Sequence, residues 1–399
     1  MTNPTTLEEY KQLRPTSLEA FETLRRENAS VLLREKEKGK HIIGAYCTYF
    51  PRELTLAMGA ISVGLCGTID APIAAAERDL PRNLCPLIKS SYGLAITDRC
   101  PYFMLADLII GETTCDGKKK MFELFGEKGL KNIYVMHLPQ MPDVPSSLEL
   151  WIAELRRLKA HLEKTFKTTI TDEALREAIR ITNREARARQ AMFDLNKRKP
   201  AVLSGMDIVN IAFLIGFQAD RIESIHMIEA VTAELAEKAN KGYAVGTAAT
   251  KRILLTGTPV GIGNEKVVKL VEEAGALIVA METCGGYKTV GMRIDENDPR
   301  DPIVLLAEKY LKIPCSVMSP NGDRLGLLES MVKDFSIDGV IDLTWQACHT
   351  YNVESYSVAK LVEEKLKLPF LHLETDYSQS DVETLRVRIE AFLETINAG

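Results

Sequence analysis

The sequence predicts an α/β protein of two similar, doubly wound domains with mostly parallel sheets, an N-terminal helical segment and a helical insert between the domains. Three observations carry this prediction. Short apolar runs alternate with amphipathic stretches over residues 41–147 and again over 249–399, the pattern of parallel strands joined by crossover helices. Residues 148–248 lack that alternation and are rich in Glu, Arg, Lys, Ala and Leu. Pieces of the two alternating regions also match one another in the same order, the mark of an internal repeat.

Residues 1–40 are read as the helical segment, from position 5 with an interruption near Pro15, because Leu7, Leu13, Leu18, Phe21, Leu24 and Leu32 recur at roughly helical spacing. The first domain then opens with the strand HIIGAYC, a helix starting near Pro51 and a strand from Ala60 to Leu65. A helix around Asn83–Ser91, a strand GLAIT, a strand DLIIGETTC, a helix from about Lys118 and a strand NIYVMHLP continue it. The insert contains LELWIAELRRLKAHLEKTF and DEALREAIRITNREARARQAMFDL, both of helical period. The second domain begins with the strand, Gly-rich turn, helix and strand of KRILLTGTPVGIGNEKVVKLVEEAGALIVAMETC. In the repeat, AMGAISVGLCG matches EAGALIVAMETCGG, DLIIGETTC matches DGVIDLTWQAC, and NIYVMHLP matches LPFLHLETD. Equivalent strands would then present Cys115 and Cys348, and likewise Cys66 and Cys284, at the sheet edge where open α/β sheets bind ligands.

Composition narrows the function. The 399 residues are 46% hydrophobic and 26% charged with a formal net charge of -5, which does not favour nucleic acid as a partner. No apolar run reaches the length of a membrane span, and the N-terminus has no basic and apolar signal-peptide regions. A cytoplasmic location is therefore expected, and in that compartment eight cysteines do not point to a disulfide framework. Cys47, Cys100, Cys115, Cys284 and Cys348 follow short predicted strands, facing a cleft between the domains. No C-x-x-C occurs, which excludes a zinc ribbon, a ferredoxin run and a thioredoxin-like pair. Isolated thiol ligands from many loops suit a large inorganic cluster, whose irons each need one thiolate, better than a single ion. The contexts GETTCDGKK, METCGGYK, TDRCPYF and WQACHTYN are small and polar, as such a site requires. Gly285 and Gly286 read equally as a plain turn. The loop GTPVGIGNE is neither G-x-G-x-x-G nor a P-loop and is read as shaping the cleft. Glu112 and Glu53 are the carboxylates best placed for proton delivery and His349 is the histidine in the candidate site, while His137 and His372 occupy matching strand ends.

At these residues the chain resembles the 2-hydroxyacyl-CoA dehydratase and benzoyl-CoA reductase superfamily and, within it, the double-cubane cluster proteins. GAYCTYFPRELTLAMGA, NLCPLIKSSYGLAITDRCPYF, DLIIGETTCDGKKKMFEL and DLTWQACHTYNVES carry the resemblance, which spans nearly the whole chain. It implies two flavodoxin-like domains with an iron–sulfur cluster between them and a separate ATP-hydrolysing iron–sulfur activator that delivers electrons singly at low potential. Dehydratase subunits of the superfamily hold one four-iron cubane with three cysteines, which carry over to Cys85, Cys115 and Cys348. Cys47, Cys100 and Cys284 would complete a second three-cysteine cubane, implying a double-cubane [8Fe-9S] reductase of a small molecule in an anaerobic setting. Cys66 and Cys315 are then assigned to packing, with Cys315 a substitute for Cys47 or Cys284. Glu112 and His349 are the proton donors expected beside the cluster. A homodimer is the expected assembly. The alternative is a 2-hydroxyacyl-CoA dehydratase subunit, a lyase, with a single [4Fe-4S] cluster.

Overall fold

The computed structural model describes residues 14–396. The sequence folds around two four-stranded sheets whose paired strands all run parallel. In the first half the strands are β1 (Ile42–Ala45), β2 (Ile61–Gly64), β3 (Leu108–Glu112) and β4 (Ile133–Met136), in the order β2-β1-β3-β4. In the second they are β5 (Arg252–Gly257), β6 (Leu277–Glu282), β7 (Gly339–Trp345) and β8 (Phe370–Thr375), in the order β6-β5-β7-β8. The two orders correspond strand for strand, and each repeat match read from the sequence falls on an equivalent pair: β2 with β6, β3 with β7, β4 with β8. The order reverses beside β1 and beside β5, so each sheet has a crevice at the carboxyl end of its strands where neighbouring connections diverge.

The strands are short, and all but the partly exposed β4 and β8 are mostly buried. Every residue of β3, β5, β6 and β7 is buried, the condition of a parallel sheet between two helical layers. Between β4 and β5 run the helices Pro145–Phe166, Asp172–Asp194, Gly205–Ile215 and Arg221–Asn240. On the first, Trp151, Leu155, Leu158 and Leu162 recur at helical spacing and are fully buried, packing with Leu305, Leu306 and Ile313 of the second half. The helix Gly205–Ile215 starts in a capping box, where Ser204 and Asp207 satisfy each other's backbone N–H groups. At its other end the Gly216 carbonyl accepts from the Gly64 N–H at 3.0 Å, which seats the helix against the edge of β2.

One expectation is met over the described residues and one changes. Ser17–Glu37 is helical, while Leu7 and Leu13 lie outside the described residues. GLAIT is not a strand: it forms the end of the helix Pro86–Ile96, which begins behind Cys85. A short apolar run cannot be told from a buried helical turn by periodicity. Here the helix is buried on most sides, and a Cβ on Gly93 would stand 2.1 Å from the Pro72 carbonyl oxygen.

The halves are joined by direct contacts near the sheet edges. The Tyr49 hydroxyl donates to the Ile313 carbonyl at 3.0 Å, the Thr68 hydroxyl to the Ile262 carbonyl at 2.6 Å, and the Tyr377 hydroxyl to the Gly67 carbonyl at 3.2 Å. The end of β5 is held more tightly still. Gly257 has φ +108°, and a Cβ there would stand 2.2 Å from the Leu343 carbonyl oxygen. Gly257→Ala is therefore expected to destabilise the protein by about 2 kcal/mol or more, read as a lower urea midpoint with circular dichroism of the native form retained below it.

Candidate functional site

The carboxyl ends of β1, β2 and β3 face those of β5, β6 and β7 across a cavity of about 640 Å³. Its wall includes Ala45–Thr48 after β1, Cys66 after β2, Thr113–Cys115 after β3, Thr258–Val260 after β5, Cys284 and Gly285 after β6, and Ala347–Tyr351 after β7. Seven of the eight cysteines line it: Cys47, Cys66, Cys85, Cys115, Cys284, Cys315 and Cys348. All are free thiols.

Electrostatic proximity sorts these thiols into two groups. Cys85 and Cys348 are close neighbours, and Cys115 interacts with both, as well as with Cys315 of the other group. Cys47, Cys284 and Cys315 interact among themselves, with Cys66 beside Cys284. The first group shares one construction: Cys85, Cys115 and Cys348 are the N-cap residues of the helices Pro86–Ile96, Asp116–Glu127 and His349–Ala359. A helix N-terminus presents free N–H groups and a positive dipole end, which favour a thiolate. The second group comes from loops.

Burial dominates the thiols. It pushes Cys47 well above the ordinary thiol range and Cys284 up to about 11, and it raises Cys66 and Cys115. The neighbouring Cys348 lowers Cys85, and the same proximity, with burial, raises Cys348. As protein alone Cys47 and Cys284 are neutral. A soft cation would deprotonate them, since coordinated thiols lose their protons outright.

Two buried lysines answer the negative charge. Lys118 lines the cavity, donates from Nζ to the Tyr46 carbonyl at 2.9 Å and stands 3.9 Å from Glu112 Oε2. Burial alone would lower its pKa, but Cys47, Glu112 and the neighbouring thiols raise it. Lys288 is fully buried, donates to the Tyr351 hydroxyl at 2.6 Å and pairs with Glu282 at 3.2 Å. Arg324 anchors the same carboxylate from the other side at 3.1 Å.

The expected site residues divide accordingly. Cys47, Cys85, Cys115, Cys284 and Cys348 all reach the cavity, and so does His349, on the exposed first turn of its helix. Cys100 does not line it. Because GLAIT is helical, Cys100 caps the short helix Pro101–Leu105, its sulfur accepting from the Phe103 N–H at 3.4 Å. Cys315 occupies the position beside Cys47 and Cys284 that the resemblance implied for Cys100. Glu112 lies beneath the wall, fully buried, with neither carboxylate oxygen hydrogen-bonded. Glu53 is tied up by Thr182, Lys309 and Tyr310. His372 meets the Thr344 hydroxyl at 3.1 Å, whereas His137 lines the cavity. Thr258, Pro259 and Val260 of the GTPVGIGNE loop form part of the wall, as a loop shaping the cleft should. Gly286 proves structural, since a Cβ there would stand 2.2 Å from the Met281 carbonyl oxygen. Sequence reasoning misses the two lysines, although each follows a site cysteine at close spacing, in CDGK and CGGYK.

Among the described residues no three His, Cys, Asp or Glu side chains converge as a site for one metal ion. Donors spread round a large wall are what a cluster of several irons needs, with one thiolate per iron. The soft donor set and the buried cations fit an iron–sulfur cluster.

A model of the family described as 2-hydroxyglutaryl-CoA dehydratase, D-component, matches residues 47–396. The chain belongs to this family. Among its relatives is a protein named as a dehydratase subunit, YjiM, of Escherichia coli (strain K12), 43% identical over 382 residues, which span 96% of this chain and 98% of the relative. The (R)-phenyllactyl-CoA dehydratase beta subunit of Clostridium sporogenes is 24% identical over 90% of this chain and 93% of its own. One of the subunits of benzoyl-CoA reductase from Thauera aromatica is 20% identical over 91% and 92%. This D-component chain thus falls among dehydratase and reductase subunits. Among its described residues no helix is long and apolar enough to cross a membrane.

Glu112 gives this family member a testable pH dependence. Burial raises its pKa from the ordinary carboxylate value to about 7, against the pull of Lys118. A raised carboxylate supports the fold most when protonated, so its contribution is present at low pH and is lost as pH rises from the ordinary value through about 7. Relative to Glu112→Gln, metal-free wild-type protein should lose on the order of 2–3 kcal/mol between about pH 4.5 and pH 8. Urea unfolding at both pH values checks this.

Proposed function

We propose that this chain holds a double-cubane [8Fe-9S] cluster in the thiol-lined cavity and reduces a small molecule there, charged by a separate ATP-hydrolysing iron–sulfur activator. The observation that carries this reading is the gathering of seven cysteines round one cavity, with Cys85, Cys115 and Cys348 at helix N-termini and Cys47, Cys284 and Cys315 in loops. Cys85, Cys115 and Cys348 would hold one cubane, and Cys47, Cys284 and Cys315 the other. Bound there, the cluster would store successive single electrons, which side chains cannot do. The two halves would be flavodoxin-like domains, and the working assembly a homodimer.

The residues around the cavity have work of their own in this scheme. The helix N-termini behind Cys85, Cys115 and Cys348 favour thiolates, and Lys118 and Lys288 offset the charge that six thiolates bring into a buried site. His349 at the exposed rim can pass a proton to a substrate. Glu112, beneath the wall, would reach one only through Lys118 or water.

The family name and the dehydratase relatives favour a second reading, a 2-hydroxyacyl-CoA dehydratase subunit with one [4Fe-4S] cluster. Cys85, Cys115 and Cys348 alone would serve it. Iron and acid-labile sulfide per chain, after anaerobic purification, separate the two. About eight irons, reduced by Cys315→Ala and by Cys85→Ala but unchanged by Cys100→Ala, is the expected result. About four irons, insensitive to Cys47→Ala, Cys284→Ala and Cys315→Ala, would establish the dehydratase arrangement instead.

A further inference from the structure

A second, smaller cavity of about 100 Å³ opens beside the thiol-lined one. The two share Thr48, Arg52, Ala212, Gly216, Cys284 and Gly285, so whatever occupies the smaller cavity abuts the Cys284 loop. Its charged lining is lopsided: Arg52, Arg189 and Lys309 against Glu185. Lys309 is answered behind the wall by Glu53 at 2.9 Å. Glu185 is shared by Arg52 and Arg221, each at 3.6 Å, too long for a hydrogen bond. Asp220, next to Arg221, is occupied as a helix cap, accepting from the Ile222 and Glu223 N–H groups.

Among the described residues Arg189 makes no ion pair within 4 Å, and Glu185 favours its charged form only from farther away. Its Nη2 donates to the Gly285 carbonyl at 2.8 Å and reaches the Gly286 carbonyl at 3.4 Å, while its Nε is buried and bonded to nothing. Burial, opposed by Glu185 and helped by Arg52 and Arg221, brings its pKa down to about 10, so it stays charged at neutral pH. A half-buried guanidinium with a buried spare donor is costly unless an anion offsets its charge. The planar fork matches a carboxylate.

We infer that the small cavity bounded by Arg189, Arg52 and Lys309 is an anion subsite, which takes the carboxylate of a small substrate and points the rest of that molecule past Cys284 into the thiol-lined cavity. The role of the bound molecule as substrate rests on the proposed function; the anion site itself does not. The Ala212–Gly216 turn borders both cavities and forms the wall that the substrate passes. The subsite also bonds the Cys284 loop through Arg189, so filling it stiffens that loop.

Calorimetric titration of metal-free protein with sodium acetate, at ionic strength held constant with fluoride, tests the subsite without the cluster. Saturable binding is expected, weakened about 10- to 100-fold in Arg189→Gln, and retained in part by Arg189→Lys. Should Arg189→Gln not fold, Arg52→Gln, whose side chain is one-third exposed, provides the same comparison. Anomalous scattering from bromide-soaked wild-type crystals adds a measurement that needs no variant, with the ion expected in the cavity bounded by Arg189, Arg52 and Lys309. Absence of saturable acetate binding, equal binding by wild type and the folded variants, or bromide elsewhere would overturn the inference while leaving the cluster reading untouched. Conversely, a protein that takes up no iron but binds acetate through Arg189 would sink the cluster reading alone.

Discussion

A sulfur buried away from water keeps its proton unless positive charge is brought to it, and the architecture around the large cavity can be understood from that constraint. Seven thiols face one space, and burial raises most of them. The fold sets two kinds of positive charge against this. Three cysteines stand at helix N-termini, and Lys118 and Lys288 are buried among the sulfurs and their neighbours. Lys118 is held by the Tyr46 carbonyl and Lys288 by Glu282 and the Tyr351 hydroxyl, so the cations stay at the site.

The doubly wound topology is what makes such a site possible. A parallel sheet sends every strand's carboxyl end to the same edge, and where the order reverses the connections part and leave a crevice. Two such sheets, with the carboxyl ends of their strands facing, bring loops from seven strands to one cavity. Residues as far apart as Cys47 and Cys348 thereby become neighbours. The helix Gly205–Ile215 fills the remaining side, and its final turn separates the thiol-lined space from the smaller cationic one.

Duplication has not made the halves chemically alike. Cys115 and Cys348 occupy equivalent places at the ends of β3 and β7, and Cys66 and Cys284 at the ends of β2 and β6. After β1, however, comes Cys47, whereas Thr258 and Pro259 follow β5. Cys85 caps a helix of the first half, while Cys315 sits in a turn between two helices of the second. The cavity is thus asymmetric within a repeated frame, with helix-capped thiols in one group and loop thiols beside Lys118 and Lys288 in the other.

The sequence by itself determined the alternation, the repeat and five of the cysteines that reach the cavity, because these depend on local periodicity and on where a short strand ends. Only the tertiary structure shows that Cys315 lines the cavity and Cys100 does not. GLAIT is apolar enough for a strand, but packing made it the last turn of a helix, which carried Cys100 away from the strand edge and left it as a cap. Cys315 follows no strand, and it arrives beside Cys47 and Cys284 through the packing of the second half against the first, seen in the Tyr49 bond to Ile313. The unpaired guanidinium of Arg189 was equally hidden, for a charge is surplus only relative to neighbours that lie far away in sequence. Spacing along a chain reports what one element does alone, whereas charge balance and shared walls belong to elements that meet only after folding.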